Sequence, residues 1–285
     1  MIVVRLIGGL GNQMFQYAMA KNVAVKNNVI LKLDISDLIN SDNQGNYTIR
    51  NFELNNFNIK SEIAVSEELN YFKKKSKFLR YLNKLIPIGY KSLIDEKKLS
   101  FDKRILNLKG NKYFTGYWQS ELYFREIRNQ LLDEFTLITI NSDLQNIIND
   151  IKNSESVSMH IRRGDYIIKY SDYYYTQTPE YYLNSLKNIT AKYPKIKVFV
   201  FSDDIEWAKT NIKTDVEIIF VTPNKSYEDL FLMSLCKHNI IANSSFSWWG
   251  AWLNENPDKI CIAPTNWFKD KTIKIDIIPN NWVTI

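Results

Sequence analysis

Cysteine is nearly missing from this chain of 285 residues, which holds only Cys236 and Cys261. Two thiols build neither a disulfide framework nor, by themselves, a zinc site, and they fit a reducing compartment. Histidine is as scarce, with His160 and His238 alone. No uninterrupted apolar run reaches the roughly 20 residues that a membrane span needs. The first twenty residues are apolar but broken by Arg5, Asn12 and Gln13, which makes a poor secretory signal. Repeats and low-complexity tracts are missing too. Hydrophobic residues at 45% and charged residues at 24% exclude a disordered or fibrous chain. Sequons stand at Asn46, Asn188 and Asn243, the last in a stretch read below as a binding loop, where a glycan would be disruptive. The expectation is a cytoplasmic protein.

What is present begins with charge. A net charge of +6 and a pI near 9.0 suit an anionic ligand, a membrane surface or nucleic acid, or simply solubility. Lysines collect within 72–104, as in FKKKSK at 72–77. That stretch reads either as a solvated helix or as a peripheral contact with the inner membrane face.

Periodicity places a strand over 2–7, a turn over 8–11, a helix over 12–25 and a strand over 29–35. The pattern loosens through 37–108 and returns as a strand over 113–118 and a helix over 121–135. The second half is regular. Strands at 157–161, 197–201, 216–221, 239–242 and 259–263 alternate with helices at 179–192, 204–211, 226–237 and 246–254. Such alternation implies an α/β class with parallel sheets and right-handed crossovers. We expect two Rossmann-like domains, 1–149 and 150–285, facing a cleft, with ligands beyond the carboxyl ends of the strands.

Four stretches stand at those ends. Gly8-Gly-Leu-Gly-Asn-Gln13 gives backbone amides close access to a ligand at a helix start. Gly9 and Gly11, with Asp34 further on, partly match a dinucleotide fingerprint, but its third glycine position holds Met14. His160-Ile-Arg-Arg-Gly-Asp-Tyr166 sets Arg162 and Arg163 at the end of a buried strand, where guanidiniums need an anionic partner. Asp165 offers one carboxylate and an internal ion cluster; one carboxylate does not neutralise two guanidiniums, so a bound diphosphate is the stronger expectation. Phe201-Ser-Asp-Asp204 offers Ser202, Asp203 and Asp204 for helix capping or for recognition of a guanine edge or ribose hydroxyls. Asn243-Ser-Ser-Phe-Ser-Trp-Trp-Gly250 presents Ser244, Ser245, Phe246 and Ser247 at a helix entrance, as caps or phosphate contacts. Trp248, Trp249 and Trp252 read as core.

Taken together, these stretches, in this order and across nearly the whole chain, resemble the bacterial α-1,2-fucosyltransferases, glycosyltransferase family 11. The resemblance implies a GT-B-like fold and an inverting, metal-independent reaction without a cofactor. GDP-β-L-fucose would be the donor substrate, and the 2-hydroxyl of a terminal galactose, in a surface glycan that can be lipid-linked, the acceptor. By the same resemblance Arg162 would contact the β-phosphate, with Arg163 beside it, Asp165 orienting both and His160 toward the guanine. Asn243 to Ser247 would add donor contacts, and Gly9, Gly11, Asn12 and Gln13 would close over the pyrophosphate from the other domain. Residues 37–108 match nothing.

Three rival readings remain. An NAD(P)-dependent oxidoreductase leaves the arginine pair without a task. A non-catalytic glycan- or RNA-binding protein would interleave basic and aromatic residues on exposed strands, whereas here the lysines cluster apart; nucleic acid is not an expected partner. A fucosyl linkage of another kind differs only in loops. No residue is assigned as general base.

Overall fold

The computed structural model describes residues 1–39, 50–79, 86–222 and 224–285, without the side chains of 73–79 and 165. Asn46 therefore lies outside the described residues. Contacts divide the chain into two units, Met1–Ile138 with Lys274–Ile277, and Thr139–Ile273 with Ile278–Ile285.

The first unit opens with β1 (Ile2–Arg5), α1 (Leu10–Asn27), β2 (Leu31–Asp34) and a short α2 (Ser36–Ile39). β3 (Glu62–Ile63), α3 (Ser66–Leu79), β4 (Leu93–Asp95), β5 (Lys112–Thr115) and α4 (Arg128–Glu134) follow. All strands are parallel, in the order β3-β2-β1-β5-β4. Much of α1 is buried, and its polar residues are hydrogen-bonded inside: Lys21 pairs with Glu134 at 2.9 Å, and Tyr17 donates to the same carboxylate. The helix expected over 121–135 is realised only from Arg128. Before it run two 3-10 turns, separated by Phe124 at φ −144°, which buries its ring against Phe15. Within 37–108, where the sequence shows no pattern, α3 and two short strands complete the sheet.

The second unit contains α5 (Gln145–Lys152), β6 (Ser156–Ile161), α6 (Gly164–Ile168), α7 (Pro179–Thr190) and β7 (Lys197–Ser202). It continues through α8 (Ile205–Asn211), β8 (Glu217–Phe220), α9 (Ser226–Leu235), β9 (His238–Ile240), α10 (Ser245–Leu253), β10 (Cys261–Ala263) and β11 (Val283–Thr284). Its six parallel strands run β11-β10-β9-β6-β7-β8. An α/β class with a parallel sheet in each unit is therefore as expected. α5 belongs here because Ile148 and Ile151 pack with Phe199, Phe201, Leu232 and Met233.

β6 is buried along its whole length yet alternates in chemistry. Val157, Met159 and Ile161 pack beneath α7 with Val198 and Val200. Ser156, Ser158 and His160 take the other face, where Ser158 accepts Asn239 Nδ2 at 2.7 Å. Burying each large aliphatic contributes about 1.5–3 kcal/mol. Trp248, Trp249 and Trp252 are buried and pack on one another, with Trp282 against Trp248. Among the described residues no helix is long and apolar enough to cross a membrane.

Candidate functional site

In the second unit the sheet reverses beside β6. β7 and β8 extend one way, and β9 to β11 the other. The loops leaving β6 and β9 diverge there, the place where open α/β sheets bind ligands. They carry residues 162–166 and 243–247. The two loops are tied together: the His160 and Phe246 rings lie 5.5 Å apart, and Tyr166 Oη donates to the Asn243 carbonyl at 3.0 Å.

Register decides what meets the arginines. β6 and β7 run parallel with Ile161 opposite Ser202, so the next residues pair in turn, Arg162 with Asp203 and Arg163 with Asp204. Arg162 Nη1 stands 3.0 Å from Asp203 Oδ2, with its guanidinium 5.7 Å from the Tyr166 ring centre. Arg163 Nε stands 3.3 Å from Asp204 Oδ2, and its guanidinium carbon 3.9 Å from the Trp207 ring centre. The Arg163 backbone N–H donates to Asp203 Oδ1 at 2.8 Å. Each arginine thus has its own carboxylate, from the neighbouring strand, which corrects the count of one internal carboxylate for two guanidiniums on which the expectation of a bound diphosphate rests. The side chain of Asp165 lies outside the described residues. Gly164 follows from the same packing, since a Cβ there would stand 2.7 Å from Asp203 Oδ2.

The acids are thereby engaged. Asp204 also caps α8, its Oδ1 accepting the Trp207 N–H at 3.1 Å, and Ser202 Oγ accepts the Asp204 N–H at 2.9 Å. Both oxygens of Asp203 and Asp204 thus have partners inside the protein, and Asp204 takes the helix-capping role that stood as the alternative to reading a guanine or ribose. Pairing does not exhaust a guanidinium, which has five N–H donors.

His160 is 5% exposed. Burial, with the charge of Arg162, pushes its imidazole down to about 3, so it is neutral at ordinary pH. Its Nδ1 has no hydrogen-bond partner among the described residues. A buried nitrogen left so is one that a ligand or ordered water would satisfy.

At α10, Ser244 Oγ accepts the Phe246 N–H at 3.3 Å as the cap. Ser247 Oγ donates to the Ser244 carbonyl at 3.4 Å. Asn243 Nδ2 donates to the carbonyls of Tyr175 and Trp267, both at 2.7 Å. The side chain of Asn243, expected among the donor contacts, is instead used inside the fold, and Ser244 and Ser247, expected at a phosphate, also make these internal bonds. Ser245 and Phe246 remain half-buried in the first turn of the helix.

In the first unit the sheet reverses between β1 and β5. Gly8 takes φ +80° with Asn12 packed against it, and Gln119 Nε2 donates to Asn12 Oδ1 at 2.9 Å. Gly9 is half-buried and Gly11 buried. Gln13 is fully buried, donating to the carbonyls of Gly8 and Asn51 and accepting the Glu53 N–H, at 2.8–3.1 Å. Its expected pyrophosphate contact is corrected to support of the 50–53 segment. Asp34 accepts from the Tyr113 hydroxyl at 2.5 Å and from Ser36. That leaves the dinucleotide reading without its ribose carboxylate.

Over residues 1–285 the sequence matches Glycosyl transferase family 11. The chain belongs to that family. It is 39% identical to an alpha-1,2-colitosyltransferase of Escherichia coli over 94% of this chain and 92% of that protein. To the O-antigen biosynthesis glycosyltransferase WbnK of Escherichia coli it is 35% identical, over 92% and 93%. A galactoside alpha-(1,2)-fucosyltransferase 2 of Mus musculus is 27% identical over 49% of this chain and 44% of that one.

For a family 11 glycosyltransferase, three residues at these edges escape a reading by motif. Asp229 sits in the first turn of α9, where an acid ordinarily complements the helix dipole. Only its burial, which raises its carboxyl above the usual range, sets it apart. Trp207 looks like helix packing until Arg163 is found over its ring. Arg50 lies within the patternless stretch, yet its Nε would stand 3.9 Å from a Cβ on Gly9.

Proposed function

We propose that this family 11 glycosyltransferase moves L-fucose from GDP-β-L-fucose to the 2-hydroxyl of a terminal galactose in a bacterial surface glycan, with inversion. The observation that carries this reading is the arginine pair at the sheet reversal of the second unit, held in place by Asp203 and Asp204. The acceptor oxygen attacks C1 of fucose, the bond from C1 to the β-phosphate oxygen breaks, its electron pair leaves with GDP, and the hydroxyl proton passes to the departing phosphate. Charge grows on the β-phosphate, and fixed guanidiniums and helix-start amides are groups that stabilise it without reorganising. His160 and the half-buried Ser245 and Phe246 are assigned to the donor. The first unit is assigned to the acceptor. No cofactor enters this reaction.

A second reading is favoured by the 39% identity to a colitosyltransferase. The donor would then be GDP-colitose, the 3-deoxy counterpart of GDP-fucose.

The test offers purified protein both donors with a panel of β-galactosides, with and without EDTA, following GDP release and the product linkage by NMR. Fucose on the galactose 2-hydroxyl, unaffected by EDTA, is the expected result. Transfer from GDP-colitose alone replaces the donor. Turnover that EDTA abolishes overturns metal independence, and release of GDP without transfer overturns the acceptor.

A further inference from the structure

Arg163 is held more tightly than a surface ion pair requires. Its side chain is only 18% exposed. Asp204 occupies one edge of the guanidinium through Nε, and the indole of Trp207 occupies one face at 3.9 Å. Both holders stand at the start of α8, and one carboxylate joins them: Asp204 Oδ1 accepts the Trp207 N–H while Oδ2 meets Arg163. The Arg163 backbone is anchored separately, to Asp203. The two terminal Nη nitrogens have no hydrogen-bond partner among the described residues. A long side chain has thus lost most of its rotamer freedom while its forked end stays available, the pre-organisation that suits bidentate grip of phosphate oxygens.

We propose that Trp207 is a positioning residue for the transfer reaction: its ring fixes the plane of the Arg163 guanidinium, and Asp204 fixes the rotation within that plane. Arg163 then presents its Nη pair to two oxygens of the departing diphosphate. The inference rests on the nucleotide-sugar reading above and adds a residue that acts only through Arg163. Trp207 also packs against the core formed with α7, so loss of activity alone would not separate positioning from folding.

The test is a double-mutant cycle of Trp207→Leu and Arg163→Gln, read by the Kd for GDP, by kcat and KM separately, and by the thermal midpoint. Leucine keeps apolar bulk and removes the π face. Trp207→Leu is expected to lower kcat and weaken GDP binding by about tenfold each, the scale of a partly desolvated cation–π contact. Acceptor KM and the thermal midpoint should hold, and Trp207→Phe should recover part of the loss. In the Arg163→Gln background the same change should have little further effect, because the residue it serves is gone. Equal losses in both backgrounds, or a loss that follows the thermal midpoint, would reduce Trp207 to packing and leave the nucleotide-sugar reading intact. Failure of the wild-type protein to bind GDP would sink both.

Discussion

Arg162 joins the end of β6 to the end of β7 through Asp203, and the same guanidinium is assigned to the leaving phosphate. Arg162→Ala removes both functions. The expected loss in turnover is at least about a hundredfold, as for removal of one pre-organised donor. Arg162→Lys separates the functions: an ammonium still pairs with Asp203 but offers a point charge where a fork is needed. Lysine is expected to keep the fold and most of the defect. Near-wild-type kcat in the lysine variant would reduce Arg162 to an ion-pair partner.

Among the elements, α10 bears most directly on the site, since its first turn carries Ser245 and Phe246. Its placement depends on close approach to α9 at Gly250. A Cβ there would stand 2.8 Å from Met233 Cβ, closer than packed carbons approach. Gly250→Ala therefore opposes two effects. Alanine favours the helix by about 0.8–1 kcal/mol, while overpacking costs about 1–3 kcal/mol. Overpacking should win, because the obstacle is a Cβ fixed to the backbone of α9 rather than the end of a flexible side chain. Urea unfolding is expected to show a net loss of about 1–2 kcal/mol, and a stabilised variant would mean that the two helices can move apart.

At the scale of the whole molecule, His160 links stability to pH. Its folded value, about 3, lies below the ordinary value of 6.5. The unfolded chain therefore takes up a proton below about pH 6.5 that the folded chain refuses. Stability from this group is fully present above that pH and falls on acidification, by about 1.4 kcal/mol per pH unit for one proton. Urea unfolding at pH 7 and pH 5.5 should show this slope, and His160→Asn should reduce it to the part left by His238, whose imidazole burial also pushes down. Identical slopes in the two proteins would mean that the imidazole is not buried as a neutral ring.

Much of the architecture was legible in the sequence. Alternating strands and helices, glycines after β1 and arginines after β6 are local patterns, and local patterns fix elements and turns. The 37–108 stretch was not legible, because its strands are two or three residues long and its helix buries Phe72 within a sequence whose next residues are mostly lysine. Among the candidate site residues, the sequence alone determined which types stand at the strand ends. Only the tertiary structure decided which of them are spent inside the protein: Gln13, Asn243 and Ser247 look the same in a motif whether they face a ligand or a carbonyl 24 to 68 residues away, as Asn243 does. The partners of the arginines were decided in the same way. Asp203 and Asp204 lie about forty residues from Arg162 and Arg163 and come beside them because β6 and β7 pair in one parallel register, a property of the sheet rather than of either strand.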